Sequence, residues 1–182
     1  MPTACILLAD GFEEIEAVTV ADVLRRAEVE TVLVGTKAGT VTGAHGIALQ
    51  ADAVLPEVTD RAWDLVALPG GMPGATNLRD DPAVCALLRR QVAEGRIAAA
   101  ICAAPIALAA AGVLEGRRAT CYPGFRDQLG PATYEEAPVV TDGPVITSRG
   151  PGTALSFALT LTAELCGTAV RDRLAAAMLA TS

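Results

Sequence analysis

Residues 4–35, ACILLADGFEEIEAVTVADVLRRAEVETVLVG, decide the architecture. The apolar run Ala4 to Leu8 reads as a buried strand, the spacing from Glu13 to Arg26 is helical, and Glu30 to Gly35 reads as a second strand. A strand, a helix and a strand of these lengths make a βαβ unit, which joins parallel neighbours. The alternation continues down the chain. Gly-rich segments around Gly39 to Thr42 and Gly46 to Leu49 suggest a hairpin excursion, and the strand Leu65 to Leu68 ends in Pro69-Gly70-Gly71. A helix from Asp81 to Glu94, a strand from Ile97 to Ile101 and a helix from Ala104 to Ala111 follow. Arg118 to Cys121, Val139 to Thr141 and Val145 to Thr147 read as later strands, and helices over Thr153 to Leu165 and Val170 to Leu179 close the chain. This order predicts an α/β fold, a doubly wound and mostly parallel sheet with helices on both faces, whose ligands bind outside the carboxyl ends of the strands.

The totals narrow the class. A chain of 182 residues suits a single domain, 1–182, and neither an internal repeat nor a linker divides it. Hydrophobic residues make up 52% and aromatics only 3%, so the core must close through Ala and Val. A net charge of -7 and no clustered Lys or Arg argue against nucleic acid or an anionic membrane as partner. The uncharged run Ile97 to Leu114 is interrupted by Pro105 and rich in Ala, which fits a buried strand and helix better than a membrane span. The start Met1-Pro2-Thr3 has no basic, apolar leader pattern, giving the expectation of a cytoplasmic protein. Five cysteines without a CxxC pair, and the single histidine His45, indicate neither a disulfide scaffold nor a structural metal.

Chemistry should then reside in the loops after strands. Cys102 follows the strand Ile97 to Ile101 with no Gly, Asn or Asp to ease the turn, and Pro105 suits the first turn of a helix. A thiol there is either a small buried packing residue or a nucleophile whose thiolate is favoured by the helix N-terminus. Cys5, Cys85 and Cys166 fall within strand or helix patterns and read as packing residues; Cys121, at a strand end, reads as packing with a redox neighbour as the alternative.

On the first helix, Asp10 and Glu13 have capping-box spacing, and Glu13 and Glu14 suit the positive helix end. Glu16 shares its stripe with Val20, Val23, Leu24 and Ala27, which faces the core. Its carboxyl is either on a partly exposed helix edge or buried, and a buried carboxyl with a raised pKa can donate a hydrogen bond to a thiolate.

Five segments together resemble the DJ-1/PfpI superfamily, in its DJ-1 (ThiJ-like) branch: Gly11-Phe12-Glu13-Glu14-Ile15-Glu16, Leu68-Pro69-Gly70-Gly71, Ala100-Ile101-Cys102-Ala103-Ala104-Pro105, Thr120-Cys121-Tyr122-Pro123-Gly124 and Thr147-Ser148-Arg149-Gly150-Pro151-Gly152-Thr153. The resemblance implies a flavodoxin-like homodimer in which Cys102 is the reactive cysteine and Glu16 its hydrogen-bonding partner. Gly70 and Gly71 then line an oxyanion-type pocket, with Ala103 and Tyr122 beside it. Tyr122 stands where the best-known pattern has a histidine, and Ala103 where the protease branch has one, so a Cys-His protease is not expected. Across a family-type dimer, His45 in the Gly43-Ala44-His45-Gly46 turn could supply a base; its ordinary reading is an exposed turn residue. Arg149 reads as a structural ion pair rather than a substrate ligand, and Arg25-Arg26 complements its helix end.

The implied function is cofactor-independent chemistry, glyoxalase III or deglycase in type, on a small reactive carbonyl such as methylglyoxal or on another electrophilic metabolite. The alternative is an oxidation-sensing or chaperone-like protein with little turnover. A nucleotide-binding role lacks both a Walker lysine pattern and Gly-x-Gly-x-x-Gly after the first strand.

Overall fold

A computed structural model describes residues 1–180; Thr181 and Ser182, the end of the expected 1–182 domain, lie outside the described residues. In chain order the elements are β1 (Thr3–Leu8), α1 (Glu14–Arg26), β2 (Glu30–Gly35), β3 (Thr40–Thr42), β4 (Ala48–Gln50), β5 (Ala53–Val54), α2 (Leu55–Val58) and β6 (Leu65–Leu68). They continue with α3 (Gly74–Asp80), α4 (Pro82–Ala93), β7 (Ile97–Ile101), α5 (Pro105–Ala110), β8 (Arg118–Ala119), β9 (Thr133–Tyr134), β10 (Val139–Asp142), β11 (Val145–Ser148), α6 (Ala154–Cys166) and α7 (Thr168–Ala177).

Seven strands form the central sheet in the order β10-β11-β7-β6-β1-β2-β5. All neighbours are parallel except β10 and β11. From β1 the chain winds outward through β2 to β5, then returns to β6 and winds the other way. The topological switch therefore lies between β1 and β6, and their carboxyl ends are where a crevice opens.

Alternation along each strand sorts the core into two layers. Cys5, Leu7, Val66, Leu68, Ala98 and Ala100 face α3, α4 and α5. Ala4, Ile6, Leu8, Ala67, Ala99 and Ile101 face the other way, toward Val20, Val23 and Leu24 of α1 and Phe157 and Leu161 of α6. The alanines of β7 keep helices close to both faces, the arrangement that a core poor in aromatics requires. At the opposite end from the crevice, the fully buried Gln91 of α4 donates from Nε2 to the carbonyls of Trp63 (2.7 Å) and Ile97 (3.2 Å), tying the starts of β6 and β7 together.

Several sequence expectations shift. Asp10 does not cap α1: Gly11, at φ +87°, turns the chain so that Asp10 faces the β3–β4 hairpin, accepting the N–H of Thr42 and pairing with Lys37. Glu13 is the N-cap instead, accepting from the N–H of Ile15 at 3.4 Å. The hairpin strand expected from Gly46 forms at Ala48–Gln50, because Gly46 adopts φ +83° in the turn. The strand expected over Arg118 to Cys121 ends at Ala119 and pairs with β9 in a separate two-stranded ribbon. The short helices α2 and α3 lack a long apolar stripe and escape periodicity.

Enlarging a β7 alanine should overpack the layer. Ala100→Leu should lower unfolding free energy by about 1–3 kcal/mol, read as a reduced denaturant midpoint at unchanged slope.

Candidate active site

The side chains singled out in the sequence arrive from three neighbouring strand ends. Glu16 comes from the first turns of α1, after β1; Gly70 and Gly71 follow β6; Cys102 and Ala103 follow β7. Cys102 sits at φ 64°, a left-handed conformation that costs an L-residue of this kind on the order of 1–3 kcal/mol. It is fixed there because its N–H donates to the carbonyl of Ser148 and its carbonyl accepts the N–H of Tyr122, at 2.9 and 2.8 Å. The strained turn lifts the thiol off the sheet.

Glu16 has no solvent exposure, so of the two readings that its stripe allowed the structure shows burial. Its Oε2 accepts the Gly70 N–H at 2.6 Å, while Oε1 has no partner in normal hydrogen-bond geometry among the described residues. Burial pushes this carboxyl up to about 7, against the lowering effect of the Gly70 N–H and the Cys102 thiol, with the nearby Glu13 charge adding to the rise. Burial, then the Glu16 charge, push the Cys102 thiol up to about 12, while the N–H groups of Ala103 and Gly71 directed at it act the other way. The expectation that the helix N-terminus lowers this thiol is therefore corrected. α5 has only six residues and begins at Pro105, and desolvation beside a carboxylate outweighs it. The two groups titrate as a pair that is neutral below about 7 and carries one negative charge between about 7 and about 12. Carboxylate with thiol, and carboxylic acid with thiolate, are the two forms of that monoanion.

The glycines are steric necessities. A methyl at Gly70 would stand 2.7 Å from Cys102 Cβ and 2.9 Å from Glu16 Oε2. Gly71 adopts φ +83°, and a methyl there would meet the Glu13 nitrogen at 2.4 Å. Their roles differ from the expected shared one: the N–H of Gly70 is taken by Glu16, and the N–H of Gly71 faces the sulfur.

Tyr122 is 49% exposed and borders a cleft of about 270 Å³ with Pro123, Arg149, Gly150 and Thr153. Arg149 pairs with Glu136 at 3.1 Å, the structural ion pair expected of it. Cys121 is fully buried, in keeping with packing. His45 is not placed among these groups. Its ring is held by Glu14, with Nδ1 2.9 Å from Oε2, while Glu14 Oε1 accepts the N–H groups of His45 and Ile47. Glu13 and Glu14, read in the sequence as helix-end charges with no further purpose, are both buried; Glu14 clamps the hairpin to α1. Capping chemistry alone accounts for acidic residues at such positions, so no local signal separated this clamp from an ordinary helix start.

A doubly wound α/β protein with a strained cysteine at one strand end and a buried carboxyl from two strands away defines a thiol-centred site at the topological switch. The chain belongs to the DJ-1/PfpI family, which matches residues 2–164. It is 42% identical to protein DJ-1 homolog A of Arabidopsis thaliana over 97% of this chain, and spans less than half of that protein, 46%. It is 37% identical to glutathione-independent glyoxalase DJR-1.2 of Caenorhabditis elegans, over 91% of this chain and 89% of that protein. The crystal structure of Drosophila melanogaster DJ-1beta superposes with a TM-score of 0.96 at 38% identity, covering 100% of this chain and 99% of the other. No described helix is long and apolar enough to cross a membrane.

Replacing Glu16 by Gln should separate the pair in two measurable ways. The folded carboxyl keeps its proton up to about 7, whereas an unfolded one loses it near 4.5, so wild-type stability falls as pH rises through that window. Relative to wild type, Glu16→Gln should therefore gain up to roughly 3 kcal/mol between those limits, at about 1.4 kcal/mol per pKa unit. Alkylation of Cys102 should rise only in the alkaline range in the wild type and at lower pH in Glu16→Gln, where the charge that raises the thiol is gone. Identical alkylation profiles would show that the Glu16 charge does not act on the thiol.

Proposed function

We propose that the chain acts on small reactive carbonyls such as methylglyoxal, without metal or glutathione, through Cys102 and Glu16. The observation that carries this reading is the Glu16 carboxyl, buried and anchored on Gly70, beside a thiol held at a strained strand end. The named activity of the Caenorhabditis elegans relative supports it.

The chemistry balances without an external oxidant. Cys102 thiolate attacks the aldehyde carbon, a C–S bond forms, and the carbonyl π pair becomes an alkoxide within reach of the Gly71 and Ala103 N–H groups. Glu16, the carboxylic acid in the form that carries the thiolate, gives its proton to the alkoxide, which makes the hemithioacetal and leaves Glu16 as the carboxylate. Glu16 then takes the proton from the former aldehyde carbon, giving an enediol, and a proton returned to the neighbouring carbon leaves a thioester. Water attacks the thioester carbonyl, the C–S bond breaks, and the hydroxy acid leaves with the thiolate restored. Net, the aldehyde carbon is oxidised and its neighbour reduced. Tyr122, Gly70, Gly71 and Ala103 shape the pocket; the Tyr122 phenol serves there as a hydrogen-bonding group rather than as a base.

A second reading rests on the same N–H groups of Gly71 and Ala103. Aimed at a partly exposed sulfur, they suit the oxygens of a sulfinate, and make Cys102 an oxidation sensor with little turnover. In either case we place the protein in the cytoplasm as a homodimer, with the β3–β4 hairpin of one subunit near the pocket of the other.

Wild-type protein should convert methylglyoxal to lactate catalytically, and Cys102→Ala and Glu16→Ala should each lower turnover by at least about a hundredfold. Absence of wild-type turnover together with stoichiometric peroxide oxidation at Cys102 would select the sensor. Unchanged turnover in His45→Ala would remove any contribution of the hairpin histidine across the dimer.

A further inference from the structure

Two segments leave from Cys102 and enclose more room than a methyl group fills. The Cys102 carbonyl accepts the N–H of Tyr122, and the Cys102 N–H donates to the carbonyl of Ser148. The chain after each of these bonds lines the cleft of about 270 Å³: Tyr122 and Pro123 from the first, Gly150, Pro151 and Gly152 from the second. Cys102 also packs on the core layer that contains Ala154, where the second segment enters α6. The cleft therefore opens beside the thiol.

Its walls are ring faces and backbone. Phe125 meets the Tyr122 ring edge-on, with centroids 6.5 Å apart and planes at 62°, and so backs the half-exposed ring. Gly150 leaves that ring uncovered, because a methyl there would already touch Tyr122 Cδ2 at 3.5 Å and any longer side chain would lie across it. The guanidinium of Arg149, at the same cleft, is paired with Glu136 at 3.1 Å, so an anionic substituent would have to displace that carboxylate. Size points the same way as polarity. An apolar cavity of about 150 Å³ holds benzene, and the space here is larger than that.

We propose that this cleft receives the carbon substituent of the substrate and that Tyr122 selects an aromatic ring there over a methyl group, a role that rests on the assignment of Cys102 to carbonyl chemistry. The substrate class is then aryl-substituted 1,2-dicarbonyls, of which phenylglyoxal is the simplest. Its ring lies against Tyr122 and Pro151, while the aldehyde oxygen keeps the Gly71 and Ala103 N–H groups.

The bond that fixes Cys102 uses the Tyr122 backbone, so the side chain can be exchanged without releasing the strained turn. Wild-type kcat/KM should be at least about tenfold higher for phenylglyoxal than for methylglyoxal. Tyr122→Ala should lower that ratio by at least about tenfold, and Tyr122→Phe, which keeps the ring, should preserve it. Alkylation of Cys102 reads the same cleft without turnover. Phenacyl bromide and bromoacetone each lose bromide as the C–S bond to Cys102 forms, and they differ only in phenyl against methyl. Their rate ratio at Cys102, divided by the ratio for a free thiol at the same alkaline pH, should exceed about ten in the wild type and fall toward one in Tyr122→Ala. A normalised ratio near one in the wild type, or one that Tyr122→Ala leaves unchanged, overturns the aryl subsite whatever the turnover. No turnover of either glyoxal, with the alkylation preference intact, keeps the subsite and overturns only the carbonyl chemistry assigned to Cys102.

Discussion

The bond from the Gly70 N–H to Glu16 Oε2, 2.6 Å long, is the contact on which the rest of the site is arranged. A carboxyl with no exposure needs a donor, and here the donor is the backbone at the end of β6. That anchor fixes α1 against the sheet at the topological switch and leaves the second carboxyl oxygen without a donor in normal geometry among the described residues. Only glycine allows it, since any side chain at position 70 would occupy the space between Glu16 and Cys102. Fold and chemistry therefore share one constraint: the approach of α1 to the end of β6 also sets the environment of the thiol on β7.

Much of this was legible in the residues. The run of Ala4 to Gly35 showed a βαβ unit with parallel neighbours, and the stripe through Val20, Val23 and Leu24 made a buried Glu16 one of two readings, the one the fold adopts. The lack of Gly, Asn or Asp after Ile101 pointed to an abrupt turn, and the structure makes that turn by holding Cys102 at φ 64°. The thiol's electrostatics were not legible in the same way. Helix polarity can be read locally, but desolvation depends on what the whole fold stacks above a residue. The same limit hid the burial of Glu13 and Glu14, whose covering comes from a hairpin more than thirty residues away.

Asp10 illustrates a different limit. Its spacing to Glu13 satisfied a capping box, yet Gly11 reverses the backbone between them and hands the cap to Glu13. Short-range motifs assume a continuous approach to the helix, and a left-handed glycine breaks that assumption. The turn it makes serves the site as well, bringing the hairpin beside α1 through the Gly11 N–H bond to the Thr42 carbonyl.

The margins of the central sheet bear on how copies of the chain can meet. At one side β5 offers only two residues. At the other, the guanidinium groups of Arg118 and Arg117 donate to the carbonyls of Thr141 and Asp142 in β10. Neither border presents a long, open ladder to a neighbouring strand. Growth of the sheet from one molecule into the next is thereby discouraged, and the exposed apolar side chains Ile15, Val18 and Ile47 lie instead on helix and hairpin surfaces.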